Sequence, residues 1–213
     1  MSVRHPSIIR RTPAPRLYGR RVVLRPLANQ DFAAWREVRL RNEAWLLPWE
    51  PQRPAGVADP TRDRGAFEAR CSARDRERAA DHAYPFGLFV DQQFAGEVNL
   101  NNVTRGALQG ATIGYWIDRA RAGHGYVAEA VAVVLQFAFE QLALHRVEIC
   151  IVPRNANSRR VVEKLDLRCE GVAERFLEIA GVWEDHLRYA ITAEEWVVRG
   201  PELNEAWIGG TGR

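Results

Sequence analysis

An α/β fold built on a mixed, mostly antiparallel sheet is predicted by three features of this 213-residue chain. Residues 84–90, 94–103 and 109–118 are β-like runs joined by short polar or glycine-bearing turns, the pattern of an antiparallel meander. Val127, Val131, Val134, Ala138 and Leu142 then recur at helical spacing and define one apolar stripe. A buried-type strand at 146–152, a short helix and a further strand pair follow. A sheet that holds all of these must combine antiparallel with parallel pairing.

In chain order, "RRVVLRP" at 20–26 reads as a first strand ended by Pro26. Asn29 or Asp31 can cap a helix that carries Phe32, Trp35, Val38 and Arg39 at helical spacing. Pro48, Pro51 and Pro54 forbid regular helix in the next stretch. Residues 61–80 are charged with sparse apolar positions, which predicts a surface helix. After the meander, "GHGYVAEA" leads directly into the long helix. Pro153 stops the strand at 146–152, and a short helix runs from about Asn157 to Leu165. Strands at 170–178 and 183–191 flank an "IAGV" turn, and "TAEEW" opens a terminal segment. The expected organisation is a basic irregular arm at 1–16, a folded domain at 17–200 and a tail at 201–213.

Composition narrows the function classes. Apolar residues make up 46% and charged residues 27%, a globular balance that argues against disorder. No apolar run approaches the ~18 residues of a membrane helix, and the arginine-rich start lacks the apolar core of a secretory signal. Cys71, Cys150 and Cys169 are scattered without C-x-x-C spacing, which argues against a disulfide framework and a zinc site. We therefore expect a cytoplasmic protein with no metal and no membrane partner. Arg4, Arg10, Arg11, Arg16, Arg20, Arg21 and Arg25 precede the first acidic residue. They form either a solvated arm or a contact for RNA.

Two short motifs carry chemistry. In Arg121-Ala122-Gly123-His124-Gly125-Tyr126-Val127-Ala128-Glu129, glycines between a strand and a helix let the backbone approach a ligand and present successive N–H groups. The following helix N-terminus adds positive potential, and the combination suits a pyrophosphate. The same element could equally be a tight turn. In Pro153-Arg154-Asn155-Ala156-Asn157-Ser158, the Asn and Ser residues are ordinary helix caps or side chains aimed into a site between diverging strands.

"GYWIDRARAGHGYVAEA" followed by "LHRVEICIVPRNANSRRVVEKL" resembles the acetyl-CoA core of the GNAT superfamily. "LLPWEP", "FGLF", "NNVTRGALQGATIGYWI", "LHRV", "PRNANS" and "WEDH" occur in the order of its RimJ/RimL-type ribosomal-protein N-acetyltransferases, RimJ above all. The resemblance covers about 20–196. It implies a central sheet with a splayed strand pair flanked by helices, and direct acetyl transfer from acetyl-CoA in a ternary complex. The pantetheine would lie between strands 109–118 and 146–152. A backbone N–H of the 115–118 strand would meet the thioester carbonyl, with Trp116, Ile117 and Asp118 among the coenzyme-binding residues. Arg121, Gly123, His124, Gly125, Tyr126, Val127 and Ala128 would hold the phosphates. Ala122 stands where the superfamily motif has Arg or Gln, and Val127 where it has Gly or Ala. Asn155 would position the CoA arm and Ser158 would protonate the leaving thiolate.

Glu97 is either the general base or a solvent-facing strand carboxylate, and water can carry the proton instead because an α-amine titrates near ~8. His186, beside Asp185, is a candidate proton relay. Cys150 reads as core. The resemblance implies a protein N-terminus as acceptor, including that of a ribosomal protein, with the basic arm contacting ribosomal RNA. The competing readings are a small-amine acetyltransferase, favoured by an enclosed acidic pocket, and a non-catalytic acyl-CoA-binding or ribosome-associated protein, suggested by Ala122 and Val127.

Overall fold

The structure is a computed structural model that describes residues 15–209, so Arg4, Arg10 and Arg11 of the arm and the last four residues lie outside it. A short hairpin, β1 (Leu17–Tyr18) and β2 (Val22–Arg25), opens the described chain. Helix α1 (Phe32–Arg41) follows, and it buries Trp35 and Val38. Asp31 starts this helix without capping it, because its carboxylate is committed to Arg25 and to the N–H of Ala28. A single turn, α2 (Glu43–Leu46), passes into a 3-10 turn, and Pro48 prevents further helix. Helix α3 (Arg64–Ala79) is anchored by Phe67 and Cys71, one turn apart and both buried.

The meander is β3 (Tyr84–Val90), β4 (Gln93–Thr104) and β5 (Gly110–Ile117), all antiparallel as the sequence predicts. Helix α4 (Tyr126–Gln136) continues as a π turn over Phe137–Gln141. Its apolar surface is wider than the stripe predicted: every residue from Val127 to Leu135 is buried, because the helix lies on the sheet with other helices around it. Strand β6 (Arg146–Ile151), helix α5 (Ala156–Lys164) and the hairpin β7 (Arg168–Ile179) and β8 (Val182–Thr192) complete the predicted series. Thr192 and Glu195 cap α6 (Ala193–Leu203) reciprocally. Residues 204–208 continue α6 as a π turn, and Trp207 packs on the main core. No helix of the described residues is long and apolar enough to cross a membrane.

The eight strands form one sheet in the order β1-β2-β3-β4-β5-β6-β8-β7. Its one parallel pair is β5 with β6, and that pairing lasts only three residues, from Gly110↔Arg146 to Thr112↔Glu148. Beyond it β5 stays bonded to β4 as far as Ile117, and β6 stays bonded to β8 as far as Ile151. Each strand follows its outer neighbour, so the sheet splits at the carboxyl ends of its parallel pair, where α/β sheets characteristically bind ligands. The main core, with α4 at its centre, covers one face. A smaller core of Trp35, Val38, Phe67, Cys71, Phe89 and Phe94 covers the other, under α1 and α3.

Candidate active site

The split opens into a continuous cleft of 1720 Å³ that reaches both faces of the sheet. On the α4 face its wall begins with Gly123 and Gly125, both at φ +84°. L side chains rarely adopt that conformation, whereas glycine enters it freely. Gly125 ends in this conformation as the cap of α4, and the first helical hydrogen bond runs from Glu129 N–H to Gly125 O at 3.0 Å. The N–H groups of Tyr126, Val127 and Ala128 therefore have no intrahelical acceptor. Open space lies above Gly123. A diphosphate fits this cradle on charge and on hydrogen-bonding capacity.

The loop is braced from behind. Arg21 lies over the Tyr126 ring at 4.9 Å, bonds His124 O at 3.1 Å and pairs with buried Glu129 at 2.8 Å. Glu129 also accepts from the N–H groups of Arg21 and Val22, which ties the first turn of α4 to the β1–β2 hairpin. Arg121 lines the cleft, but its guanidinium is held by Asp91 and Gln93. It does not supply a free charge in place of the Arg or Gln that the motif has at Ala122. His124 and Asp118 are absent from the cleft wall.

Where a Cβ would stand on Gly125, the Trp207 ring lies 3.4 Å away and Arg21 3.5 Å away. Gly125→Ala adds that contact to a left-handed backbone costing about 1–2 kcal/mol. We expect coenzyme A affinity, measured by calorimetry, to fall about tenfold as the N–H groups are displaced. A loss of thermal stability with unchanged affinity would remove the loop from the binding site.

The β5 edge supplies further donors. The N–H of Asp118 bonds Ala95 O at 2.7 Å, and Trp116 O lies against Gly96. Even-numbered residues at this end of β5 therefore turn their backbone groups toward β4. Strand alternation turns those of Tyr115 and Ile117 toward the split. Within the 115–118 strand expected to meet the thioester, Tyr115 and Ile117 keep N–H groups facing the split. Trp116 contributes its side chain, which packs on Phe94 beneath Arg39. Asp118 instead anchors the fold. Burial opposes its charge, but bonds from Arg41, Asn42 and Ala120 N–H hold its carboxyl below the ordinary value.

Across the split, Asn155 caps α5 by accepting from Ser158 N–H at 3.1 Å, which leaves its amide N–H₂ free in the cleft. Ser158 Oγ donates to the Tyr115 hydroxyl at 3.0 Å, and that hydroxyl donates to Ser158 O at 3.1 Å. Two hydroxyls thus meet between the parted strands. Burial, the main cause, raises the Tyr115 phenol above its ordinary value despite the Ser158 bond. Sequence reasoning missed the Tyr115 hydroxyl. It lies beside Trp116 in "GYWI", and the period-2 alternation of a strand is the signal that separates their roles.

On the α1 face, Glu97 is 3% exposed and not solvent-facing. Trp35 Nε1 donates to it at 2.7 Å and Arg70 at 2.6 Å. Burial pushes its carboxyl up, but the Arg70 charge and these two bonds outweigh it and hold the carboxyl below its ordinary value. His186 lines the same part of the cleft, with Nδ1 3.0 Å from Glu184 O. A carbonyl only accepts, so Nδ1 carries the hydrogen and Nε2 is the acceptor of the neutral ring. Asp185 accepts instead from Arg175 N–H. Cys150, read as core, is half-buried on the wall, and burial raises its thiol pKa, which makes it a poor nucleophile. Trp49 and Glu50 form the outer wall. Arg154 covers the Trp49 ring, and Glu50 O accepts from Ala180 N–H in the β7–β8 turn.

A sheet split at its parallel pair, with a glycine-capped helix at one mouth of the cleft and hydroxyl donors at its centre, defines an acyl-CoA-dependent N-acetyltransferase. The chain belongs to the GNAT acetyltransferase domain family, whose model matches residues 21–168. It is 30% identical over 188 residues to the [ribosomal protein uS5]-alanine N-acetyltransferase of Escherichia coli, covering 86% of this chain and 94% of that enzyme. It is 47% identical over 113 residues to the probable N-acetyltransferase YjcK of Bacillus subtilis, a match spanning 52% of this chain and 62% of YjcK. Among solved structures, Mycobacterium smegmatis RimJ in complex with CoA-disulfide superposes with a TM-score of 0.81 at 36% identity, covering 91% of this chain and 93% of that one.

Proposed function

We infer that the protein transfers the acetyl group of acetyl-CoA to the α-amine of a protein N-terminus, that of a ribosomal protein in the cell. The observation that carries this reading is the second mouth of the cleft. It is wide, walled by Trp49, Trp116 and His186 of β8, and of its four acidic side chains Glu50, Asp59 and Glu97 are each paired with arginine, while Glu43 is exposed and has no ion pair among the described residues. A small cationic amine would find no buried free carboxylate in this wall, only Glu43 at the exposed surface, whereas an extended backbone finds a broad groove. The E. coli relative supports the ribosomal acceptor by its own named activity, and the M. smegmatis structure, solved with CoA-disulfide, supports the coenzyme. The basic arm is proposed to meet ribosomal RNA.

Acetyl-CoA brings an activated thioester to the split. The chain's contribution is orientation and proton handling. Ile117 and Tyr115 N–H groups stabilise the charge that develops on the thioester oxygen. Asn155 holds the pantetheine arm through its free amide. The Tyr115–Ser158 hydroxyl pair protonates the departing sulfur. A phenol is a stronger acid than an aliphatic hydroxyl, although burial raises Tyr115 above its ordinary value. We therefore place the donor on Tyr115, and Ser158 aligns it. An α-amine near pH 7 is already partly neutral. Its remaining proton leaves through water to Nε2 of His186, while Glu97, held ionised by Arg70, organises the acceptor wall.

The reading is tested by turnover on peptides beginning with Ala, Ser, Thr or Met and on an acetyl-blocked control. Acetylation confined to free N-termini is expected. Coenzyme A binding without turnover on any peptide would favour the small-amine or sensor alternatives.

A further inference from the structure

We propose that Arg160 and Lys164 form a clamp for the 3′-phosphate of coenzyme A and make the enzyme discriminate CoA from 3′-dephospho-CoA. The proposal rests on the CoA-dependent reading of the cleft. Helix α5 begins at the split, where Ser158 meets Tyr115, and presents Asn157, Ser158, Arg160, Val161 and Lys164 to the cleft wall. Arg160 and Lys164 are one turn apart on this face, and both are exposed. Six other basic side chains line the cleft, and each lies within ion-pair distance of a carboxylate. Arg160 and Lys164 have no such partner among the described residues. Their neighbour Arg159 turns off the wall and pairs with Glu163 at 3.7 Å.

The charge on each side then matches. The thioester end belongs at Tyr115 and Ser158, and the diphosphate at the cradle over 123–128. The one charged group of the coenzyme left over is the 3′-phosphate, and the unmatched cations of the cleft are these two. Along the α5 axis, Lys164 is about 9 Å beyond Ser158 at 1.5 Å per residue, so the clamp stands away from the reacting atoms. A phosphate there receives a bidentate guanidinium and a point charge from the ammonium.

The test is calorimetric binding of CoA and 3′-dephospho-CoA to the wild type, to Arg160→Ala/Lys164→Ala and to Arg159→Ala, with folding checked by melting. The wild type should bind CoA at least about tenfold more tightly than dephospho-CoA. The double variant should bind the two within about twofold, with dephospho-CoA affinity unchanged. Arg159→Ala should retain the wild-type ratio. Equal wild-type affinities, a ratio that survives the double substitution, or a ratio lost equally in Arg159→Ala would each overturn the clamp. Absence of binding by both ligands would instead sink the CoA-dependent reading.

Lys164 is the single lysine of the chain, which gives a second readout. Carbamylation of Lys164 by cyanate, followed by mass spectrometry, should be slowed by CoA and little affected by dephospho-CoA. Equal protection by both would count against the clamp.

Discussion

Removing both hydroxyls at the split, by Tyr115→Phe together with Ser158→Ala, is expected to lower kcat by about 10²- to 10⁴-fold, the range for losing a positioned general acid. Coenzyme A affinity should stay near the wild-type value, because neither hydroxyl belongs to the phosphate cradle or the β5 edge. The single variants separate the roles. Tyr115→Phe removes the more acidic hydroxyl of the pair and should account for most of the loss. Ser158→Ala removes the group that aligns the donor but leaves the phenol, so its loss should be smaller. The two effects should not add, since each hydroxyl is the other's partner at 3.0 Å. Equal losses in Ser158→Ala and the double variant, with Tyr115→Phe near wild type, would return the acid role to Ser158.

The pH dependence carries an independent sign. The Tyr115 phenol lies above its ordinary value because it is buried. It therefore stays protonated, and able to donate, beyond the ordinary phenol range near about 10. The wild-type kcat should show no alkaline decline attributable to loss of this acid below that range. A falling limb between pH 8 and 9 that disappears in Tyr115→Phe, tested by kcat profiles, would contradict this assignment.

The elements were legible because their signals are local. Turn residues bound each meander strand, Pro153 ends β6, and the Val127–Ala138 spacing marks α4. The Gly-x-Gly turn that caps α4 was legible for the same reason: strand, glycines and helix are contiguous. What escaped depends on partners distant in the chain. Whether Trp116 or Ile117 offers a free N–H is set by the bond from Asp118 to Ala95, 23 residues earlier. Arg121 was expected to hold phosphate because Asp91 and Gln93, which take its guanidinium, lie in another turn. Arg21 looked like part of a solvated arm because Glu129, which receives it, lies 108 residues on. Lys164 is conspicuous in composition, but its exposure to the cleft follows from how α5 leaves β6.

Glu97→Gln is the substitution with the largest expected effect on stability. Glu97 is buried against Arg70 and Trp35, and Arg70 keeps only 24% of its side chain exposed. Glutamine can still accept from Trp35, but it leaves the Arg70 charge partly buried and unmatched. That costs about 3 kcal/mol, at the low end for a broken buried pair because water reaches Arg70. For a chain of this size the melting temperature should drop by about 6–12 °C.

The carboxyl lies below its ordinary value in the folded state. Its contribution is therefore complete above the unfolded carboxylate value near about 4.3, and it fades as pH falls through the lower folded value. The stability gap between wild type and Glu97→Gln should accordingly close only below pH 4. Changing both partners, Glu97→Gln with Arg70→Met, removes the unmatched charge, keeps an acceptor for Trp35 and should restore most of the stability. The same double variant decides the catalytic question. If Glu97 only organises the acceptor wall, turnover returns with stability, and any residual defect appears in the peptide KM. If Glu97 were the base, kcat would stay low in the refolded double variant, and the water and His186 route would have to be abandoned.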